Sequence, residues 1–387
     1  MKKYDHRMTR WLLLALALVL YACSDDDSAD RKEQRNAVPV ELCPYAPWFQ
    51  EEGSTPSCTR AFPNDYSNYV SYAAMYGTDG MFKYQTDLTD ATIDLYFTKA
   101  GTDDPGNPAK IYYSILTRRW GSTVSISSGA YYLYGFIPAG VVEDGSSIAP
   151  NTEYQNGATL TLTKLSTITP SDVCVVVAAG QGDATGPNPG YAIGKFQYPA
   201  MESNYIYLLF DHLYSSMRFS FRVANSYDAL RTIKLKKLQM KNTGMKKYVD
   251  ATITLTANGI GESPISNVSF SSESYVDSGD ADGTLFDNSE EPVVLSTSAS
   301  EFIGCFMPVM SGSNEEFILT STYDVYDKKG NLIREGCEAI NTITLSKLST
   351  APTLGRGKML TINLTVNPTY LYMLSEPDLD NPTIKIN

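Results

Sequence analysis

Apolar and polar residues alternate over long stretches of the chain beyond residue 61. In residues 217–223, MRFSFRV, every second side chain is apolar and the residues between them are arginine or serine. Residues 91–99, 252–257 and 361–366 repeat this alternation. A period of two is typical of strands that bury one face. We therefore predict an all-β protein in which helices are few and short.

Two segments depart from simple alternation. In residues 232–240, TIKLKKLQM, the apolar positions change phase at Lys236–Lys237, which predicts a β-bulge or the end of a strand. Residues 225–233, NSYDALRTI, predict one or two helical turns capped by Asn225 or Ser226.

Loops rich in glycine, proline, aspartate and asparagine separate the predicted strands. The densest are residues 101–108 and 182–190, and such residues end strands and form turns. A domain boundary is placed after the second loop. The sequence thus predicts two antiparallel β-sandwich domains in tandem, at residues 61–200 and 201–387.

The amino-terminal residues 1–22 have the form of a secretion signal. A basic start is followed by the apolar run Trp11–Leu20 and by Ala22, directly before Cys23. The run is too short to span a bilayer, so we expect cleavage rather than membrane insertion. A small residue followed by cysteine resembles the lipobox of bacterial lipoproteins, which predicts lipidation of Cys23.

Residues 23–60 are interpreted as a lipidated linker or propeptide. The acidic start, SDDDSAD, stays solvated and extended. It also resembles the export signal that directs lipoproteins to the outer face of the outer membrane in Bacteroidetes; a plain solvated spacer is the alternative. Acyl chains supply membrane affinity of about 0.8 kcal/mol per buried methylene. We therefore predict a lipid anchor in the cell outer membrane and a surface-exposed protein.

Charge narrows the classes of partner. Residues 1–22 hold four of the 31 basic residues and one of the 43 acidic residues, so the remaining chain has 27 bases and 42 acids, a net charge of −15. Such a charge repels nucleic acid and anionic lipid headgroups. We predict no nucleic-acid partner.

Five cysteines remain once the lipidated one is set aside. Cys43 and Cys58 are candidates to close a small loop, and Cys305 and Cys337 are candidates to bridge two strands. Exported proteins permit such disulfides. Cys174, within VCVVVAAG, is interpreted as a small buried hydrophobe. No pair has the spacing of a zinc site.

The residues needed for catalysis are scarce. Of two histidines, only His212 lies outside the signal segment, and Asp211 would point to the opposite face of a strand. A strand-end histidine held by backbone hydrogen bonds is the favoured interpretation. The chain has no phosphate-binding loop followed by a helix, no zinc-protease motif and no nucleophile elbow. We predict no enzyme activity and no cofactor.

Two further patterns have competing interpretations. Within Asp277–Glu291, Asp280 and Asp282 precede Gly283 as in a calcium loop, but the position of the closing glutamate is taken by a serine. Calcium binding and a solvated acidic loop both remain open. The aromatic run in residues 131–136 fits a sugar-stacking platform or core packing, and packing is favoured.

Three segments carry a family resemblance. Residues 131–140, YYLYGFIPAG, residues 207–221, YLLFDHLYSSMRFSF, and residues 357–366, GKMLTINLTV, resemble the fimbrillin family of Bacteroidetes in content and order. The resemblance implies two transthyretin-like β-sandwich domains in a lipoprotein precursor of a type V pilus subunit, Mfa-like or FimA-like.

The resemblance also implies a route of assembly. An arginine-specific protease cuts ahead of the first domain, the amino-terminal strand is lost, and the carboxyl-terminal segment of a neighbour fills the groove. The matching bond here is Arg60–Ala61, although a linker arginine with no processing role is the alternative. The candidate donor-strand residues are Tyr370, Tyr372, Ile384 and Ile386. A Cys43–Cys58 pair ahead of the cut would hold the leader or mark a member that does not polymerise.

Together these observations predict a structural subunit of a fimbria that mediates adhesion, as shaft, tip or anchor. Its partners would be other fimbrillin subunits, the outer membrane through the lipid, and a host or bacterial surface receptor. The alternative is a monomeric surface lipoprotein that binds a glycan or a host ligand.

Overall fold

The computed structural model describes most of the chain beyond residue 40. The described residues are 41–51, 69–76, 82, 91–102, 104–114, 116–122, 127, 129–141, 145–150, 157–183, 185–187, 195–198, 205–255, 265–299, 301–310, 316–348, 354–370 and 377–386. Within these ranges no helix has the length and apolar character needed to cross a membrane.

Strands dominate the described chain, as the alternating sequence predicts. The strands are β1 Glu41–Pro47, β2 Gln50–Glu51, β3 Tyr69–Ser71, β4 Ala91–Lys99, β5 Pro108–Ser114, β6 Arg119–Ser122, β7 Gly129–Ile137, β8 Ser147–Pro150, β9 Ala158–Ser166, β10 Cys174–Asp183, β11 Gly186–Pro187, β12 Lys195–Tyr198, β13 Tyr205–His212, β14 Ser215–Val223, β15 Arg231–Lys246, β16 Tyr248–Leu255, β17 Ile265–Ser271, β18 Asp280–Asp287, β19 Val293–Val294, β20 Glu301–Met307, β21 Glu316–Asp327, β22 Leu332–Thr344, β23 Lys358–Tyr370 and β24 Pro377–Ile386. The helices are α1 Tyr72–Tyr76 and α2 Asn225–Asp228, and single 3-10 turns cover Glu273–Tyr275 and Leu345–Lys347.

The first sheet closes on itself. Its strand order is β11-β10-β13-β1-β6-β5-β4-β7-β12, and β10 also pairs with β7 through Cys174–Ile137 and Val175–Phe136. Seven strands from β10 to β7 therefore form a ring. Most of its strand pairs are antiparallel, but β1 runs parallel to β13. At Gly135 a Cβ atom would lie 2.8 Å from the carbonyl oxygen of Asp94, so this glycine permits the close approach of β7 to β4.

A second, four-stranded sheet packs with the ring around the first hydrophobic core. Its strand order is β17-β16-β9-β8. The apolar faces of β9 and β16, including Leu160, Leu162 and Ile253, are buried in the same cluster as Leu95 and Phe136 of the ring. This core therefore combines strands from both halves of the sequence.

The second core lies between two five-stranded sheets. One has the order β2-β23-β14-β20, with β24 also pairing with β23; the other has the order β18-β15-β21-β22, with β19 pairing with β15. Phe219 and Phe221 from the first of these sheets and Leu235 and Tyr323 from the second are buried together. This arrangement is a β-sandwich.

The bulge and the short helix predicted from the sequence can both be compared with the structure. The strand β15 shifts register against β21 between Leu235 and Lys237, so the predicted bulge at Lys236–Lys237 is confirmed. The predicted short helix is α2, but its cap is Ala224, which makes no side-chain cap hydrogen bond. The cap prediction of Asn225 or Ser226 is therefore wrong.

The polar face of β4, which an alternating sequence predicts to face solvent, is buried. In β4 the polar residues Thr92, Asp94 and Thr98 are as buried as the apolar residues between them. Both faces of β4 are therefore covered within the folded protein, although β4 is flanked in the ring only by β5 and β7. The Asp94 carboxylate accepts a hydrogen bond from the backbone of Gly140 and pairs with Lys110.

The predicted division of the chain does not follow the two cores. The strand β13, after the predicted boundary at residue 200, belongs to the first sheet, and the β16–β17 hairpin pairs with β9. Residues 41–51, predicted as part of a linker, form β1 and β2. Residues Val40–Asn387 form one compact unit.

The predicted Cys305–Cys337 bridge is not formed. Both residues carry free thiols within the second core. They lie on β20 and β22, which belong to different sheets of the sandwich. Burial raises the pKa of both thiols, which disfavours the reactive thiolate form. Cys43 also has a free thiol, and its predicted partner Cys58 lies outside the described residues.

Candidate functional site

The strand β1 is built into the interior of the ring. It pairs in parallel with β13 from Glu41–Tyr205 to Tyr45–Leu209, and Leu42 pairs with Trp120 of β6 on its other side. Its last residues also pair with β3. A segment that precedes Arg60 in the chain therefore supplies a central strand of the first sheet.

Apolar side chains fix this amino-terminal segment. Leu42, Ala46 and Phe49 are buried in the first core. The Phe49 ring lies 5.6 Å from Phe82 and 5.7 Å from Phe306, measured between ring centroids. Burial of a leucine or phenylalanine side chain stabilises by roughly 1.5–3 kcal/mol each. The segment is thus held by a few large contacts in addition to its strand pairing.

A buried polar cluster lies against the end of β1. Each nitrogen of the His212 imidazole faces an oxygen atom: Nε2 is 2.6 Å from the carbonyl oxygen of Pro47, and Nδ1 is 2.7 Å from Oδ2 of Asp172. The Tyr76 hydroxyl donates to the same Asp172 oxygen at 2.6 Å, and the Cys174 thiol donates to it at 3.0 Å. All four side chains are buried.

The two ring nitrogens of His212 have similar surroundings. Both nitrogens face oxygen acceptors, and imidazole donates from both nitrogens when it is protonated. The Asp172 carboxyl group lies beside the ring and is buried with it. Burial, followed by the nearby Asp172 charge, raises the pKa of the Tyr76 hydroxyl well above its usual value, so this tyrosine stays a hydrogen-bond donor.

The cluster contains residue types found in metal and nucleophile sites. Ligand atoms of Asp172, Cys174 and His212 lie within 4.8 Å of one another. The spacing fits hydrogen bonding better than tetrahedral zinc, whose bonds of 2.0–2.3 Å keep ligand atoms roughly 3.3 Å or more apart. The Cys174 thiol and the His212 ring are fully buried, which withholds them from a substrate. The geometry therefore points to a structural role.

Beyond Phe49 the segment continues onto the β-sandwich that encloses the second core. Gln50 and Glu51, which form β2, pair in parallel with Lys358 and Met359 at the start of β23. Arg218 of β14 donates a hydrogen bond to the Glu51 carboxylate at 2.8 Å. The amino-terminal segment thus spans both cores.

The carboxyl-terminal strand uses the same edge of β23. At Leu364, β23 pairs with Phe221 of β14 on one side and with Ile386 of β24 on the other. Since β2 also lies opposite β14 in the strand order, β2 and β24 occupy successive parts of one edge. The buried side chain of Ile384 and the partly buried Ile386 pack into the second core.

Burial also affects the thiol on β1. Burial, followed by the charge of Glu41, raises the pKa of Cys43 to about 11, despite a hydrogen bond with Tyr207 that lowers it. Burial likewise raises the pKa of Tyr207. The Cys43 thiol is therefore protonated at neutral pH while β1 is in place.

The described residues include only part of the predicted site. Tyr370 ends β23, and Ile384 and Ile386 lie on β24 paired with their own chain. The remaining predicted residues, Cys23, Cys58, Arg60, Ala61 and Tyr372, lie outside the described residues. The sequence prediction missed β1 itself, because Pro44 and Pro47 argue against a central strand.

The other patterns are explained by packing and pairing. Tyr131, Tyr134 and Phe136 are buried, which confirms core packing for the aromatic run. Asp280 and Asp282 lie on the strand β18 and pair with Lys241 and Lys247 at 3.1 and 3.2 Å. A Cβ atom at Gly283 would lie 2.7 Å from the carbonyl oxygen of Ile168, so close packing accounts for this glycine.

Comparison with known proteins adds structural similarities. No family model and no curated protein sequence matches the chain. Similar solved structures include a proposed cell adhesion protein from Bacteroides uniformis (11% identity, TM-score 0.34, 91% of this chain and 98% of that one). They also include a fimbrial protein from Bacteroides vulgatus (12%, 0.28, 76% and 91%) and the fimbrial anchor protein Mfa2 from Porphyromonas gingivalis (11%, 0.24, 90% and 98%).

The chain resembles fimbrial and cell adhesion proteins. At these identities and TM-scores, the similarity transfers no activity, partner or assembly step to this chain.

Proposed function

We propose that this protein is a structural subunit of a surface fimbria with a role in adhesion. It is exported as a lipoprotein anchored through Cys23, cut after Arg60, and assembled with other subunits by strand donation. The observation that carries this proposal is the position of β1, a central strand of the ring that lies ahead of the Arg60–Ala61 bond. An ordinary linker would not supply a central strand.

Cleavage after Arg60 would leave β1 and β2 bound without a covalent link to the remainder of the domain. Loss of the segment would expose the backbone of β13 from Tyr205 to Leu209. It would also expose the apolar surface against which Leu42 and Phe49 are buried. Unpaired strand edges beside apolar surface favour addition of another strand. The emptied groove therefore has the properties of an acceptor site.

The carboxyl-terminal strand is the proposed donor. Among the described strands, β24 pairs with β23 alone, at the edge of its sheet. An edge strand can leave while the central strands keep their pairing. In the assembled fibre, the carboxyl-terminal segment of one subunit occupies the groove of the next.

The test is controlled cleavage of the full-length protein. Treatment with an arginine-specific protease should yield multimers, seen by size-exclusion chromatography and electron microscopy, in the wild type but not in Arg60→Ala. The matched control is Arg35→Ala, which removes a site ahead of β1 and should leave assembly unchanged. Cleavage at Arg60 without multimers would contradict the proposal and favour a monomeric surface lipoprotein.

A further inference from the structure

A polar cleft lies on the solvent side of the sheet formed by β18, β15, β21 and β22. Its volume is about 430 Å³, within the range of about 300–1,000 Å³ that is typical of small-molecule sites. Most such sites have a mainly apolar lining, whereas polar residues form most of this one. The polar residues that line this β15 cleft are Gln239, Lys241, Lys247, Asp282, Thr284 and Thr320.

Cross-strand pairing places these side chains next to one another. Gln239 of β15 pairs with Thr284 of β18 on one side and with Thr320 of β21 on the other. Lys241, two residues further along β15, pairs with Asp282 of β18. Residues two apart in a strand project from the same face. The cleft therefore presents an amide, two hydroxyls, an ammonium group and a carboxylate on one surface.

A bulge in β15 brings a second lysine to the cleft. The strand has extra residues, 243–245, between two neighbouring partners on β18. The side-chain oxygen of buried Asn242 accepts a hydrogen bond from the backbone of Gly244 at 2.8 Å, which holds the bulge. A bulge bends its strand and redirects the side chains beside it. Lys247, just beyond the bulge, lines the same cleft as Lys241.

Positive charge is concentrated here although the protein is acidic. Residues 232–247 contain six lysines and no acidic residue. In the cleft, the ammonium groups of Lys241 and Lys247 lie 3.1 and 3.2 Å from carboxylate oxygens of Asp280 and Asp282. An ammonium group has three N–H donors, and exposed ion pairs of this kind contribute little to stability. Both lysines can therefore bind a further carboxylate from a ligand.

The lining distinguishes between classes of ligand. The side chains of Gln239, Thr284 and Thr320 offer hydrogen bonds that suit hydroxyl and amide groups. The Asp282 carboxylate accepts hydrogen bonds from hydroxyls, but it would repel a peptide with several acidic side chains. The described lining contains no aromatic ring on which a neutral sugar could stack. These features favour a sugar that carries both hydroxyls and a carboxylate.

We propose that the β15 cleft binds a surface glycan through an acidic sugar. Lys241 and Lys247 bind the carboxylate of this sugar, and Gln239 binds its hydroxyls. This inference rests on the adhesive role in the proposed function, for which it names a site and a ligand class. It is independent of strand donation, since the residues that line the cleft lie outside β1, β2 and β24.

Binding can be measured on the uncut full-length protein by isothermal titration calorimetry. The probes are sialyllactose and cellobiuronic acid, which each carry a single carboxylate, and their methyl esters, which keep the hydroxyls and lose the charge. At least one acid should bind saturably and at least about tenfold more tightly than its ester, as expected for charge-assisted hydrogen bonds. If neither acid binds, or if acid and ester bind alike, the proposal is overturned.

Lysine variants test the two ammonium groups. The double variant Lys241→Gln, Lys247→Gln should bind the acid about as weakly as the wild type binds the ester. The matched control is Lys328→Gln, which removes another exposed lysine paired with an acid, Asp228 at 3.5 Å, away from the cleft. Because all three lysines are exposed, both variants should melt at temperatures close to that of the wild type. Equal losses of binding in the two variants would overturn the proposal.

An acidic peptide represents the competing class of ligand. If hexaglutamate binds more tightly than both acidic sugars, and this binding is lost in the double variant, the assignment to a sugar is overturned. The results also separate this inference from fimbrial assembly. Binding of the acids without multimers after cleavage at Arg60 would contradict strand donation alone, whereas multimers without binding of either acid would contradict the sugar site alone.

Discussion

Arg356 and Asp211 join the two cores: Nη1 of Arg356 donates to Oδ2 of Asp211 at 2.7 Å. Asp211 belongs to β13 of the ring, and Arg356 lies two residues before β23, a strand of the β-sandwich around the second core. The same arginine donates to the carbonyl oxygen of His212 at 3.3 Å. One guanidinium group therefore fixes the strand that carries His212 relative to the strand that pairs with β2.

Replacement of this arginine should weaken the junction. Arg356→Ala is expected to lower the free energy of unfolding by about 2 kcal/mol, the usual cost of losing a hydrogen bond to a charged group. Urea denaturation measures the change. Arg356→Lys should lose less, because it keeps the positive charge near Asp211, and equal losses would show that charge contributes little.

The buried pair of His212 and Asp172 should be more costly to break. Asp172→Asn removes the negative charge beside the imidazole, and breaking one side of a buried pair typically costs about 3–5 kcal/mol. Chemical denaturation of the variant gives this difference. The control is Tyr214→Phe, where one buried hydroxyl is lost at a cost of about 1 kcal/mol. A loss in Asp172→Asn no larger than in the control would contradict an ionic pair.

The Cys43 thiol offers a measure of β1 release. With β1 in place its pKa is about 11, whereas an ordinary cysteine has a pKa near 8.5. At pH 8 the thiolate fraction should therefore rise more than about 100-fold when β1 leaves. Alkylation by iodoacetamide, in a variant with Cys23→Ser and Cys58→Ser, should accelerate after cleavage at Arg60.

The same shift has a consequence for stability. Because the folded pKa lies above the unfolded one, Cys43 favours the folded state below pH 8.5, and this contribution is lost as the pH rises through 11. Stability measured between pH 8.5 and 11 should fall less steeply in Cys43→Ser. An unchanged slope would contradict the raised pKa.

A side chain of the opposite sheet, Asn341 of β22, forms a hydrogen bond to the carboxyl-terminal strand β24. Nδ2 of Asn341 donates to the carbonyl oxygen of Ile384 at 2.6 Å. Asn341→Ala should speed hydrogen exchange of residues 377–386 by roughly fivefold or more, as expected for a bond that contributes about 1 kcal/mol. Residues 215–223 of the same sheet serve as the internal control, and equal acceleration there would indicate global loosening instead.

Local chain chemistry could be predicted from the sequence, but partners distant along the chain could not. The bulge at Lys236–Lys237 is visible because a change of phase is a local signal. The β16–β17 hairpin alternates just as clearly, yet alternation does not specify which sheet it joins. Its place beside β9 depends on packing between segments about 90 residues apart.

The polar cluster around His212 could not be predicted for a similar reason. His212 was expected to be held by backbone hydrogen bonds, and one of its bonds is indeed to the Pro47 carbonyl. Its second partner, Asp172, lies 40 residues away and has no distinctive surrounding motif. The Asp211 side chain points away from the His212 ring and accepts a hydrogen bond from Arg356, as strand geometry predicts.

The pairing of β10 with both β13 and β7 sets the shape of the space that β1 fills. An open sheet that lost a strand would offer a long edge on which further strands could stack without limit. A ring that loses one strand instead becomes a slot between two walls roughly 10 Å apart, with β13 on one side and β6 and β3 on the other. Such a slot has room for one strand, so a fibre assembled as we propose would grow in one direction and would not extend sideways into a sheet.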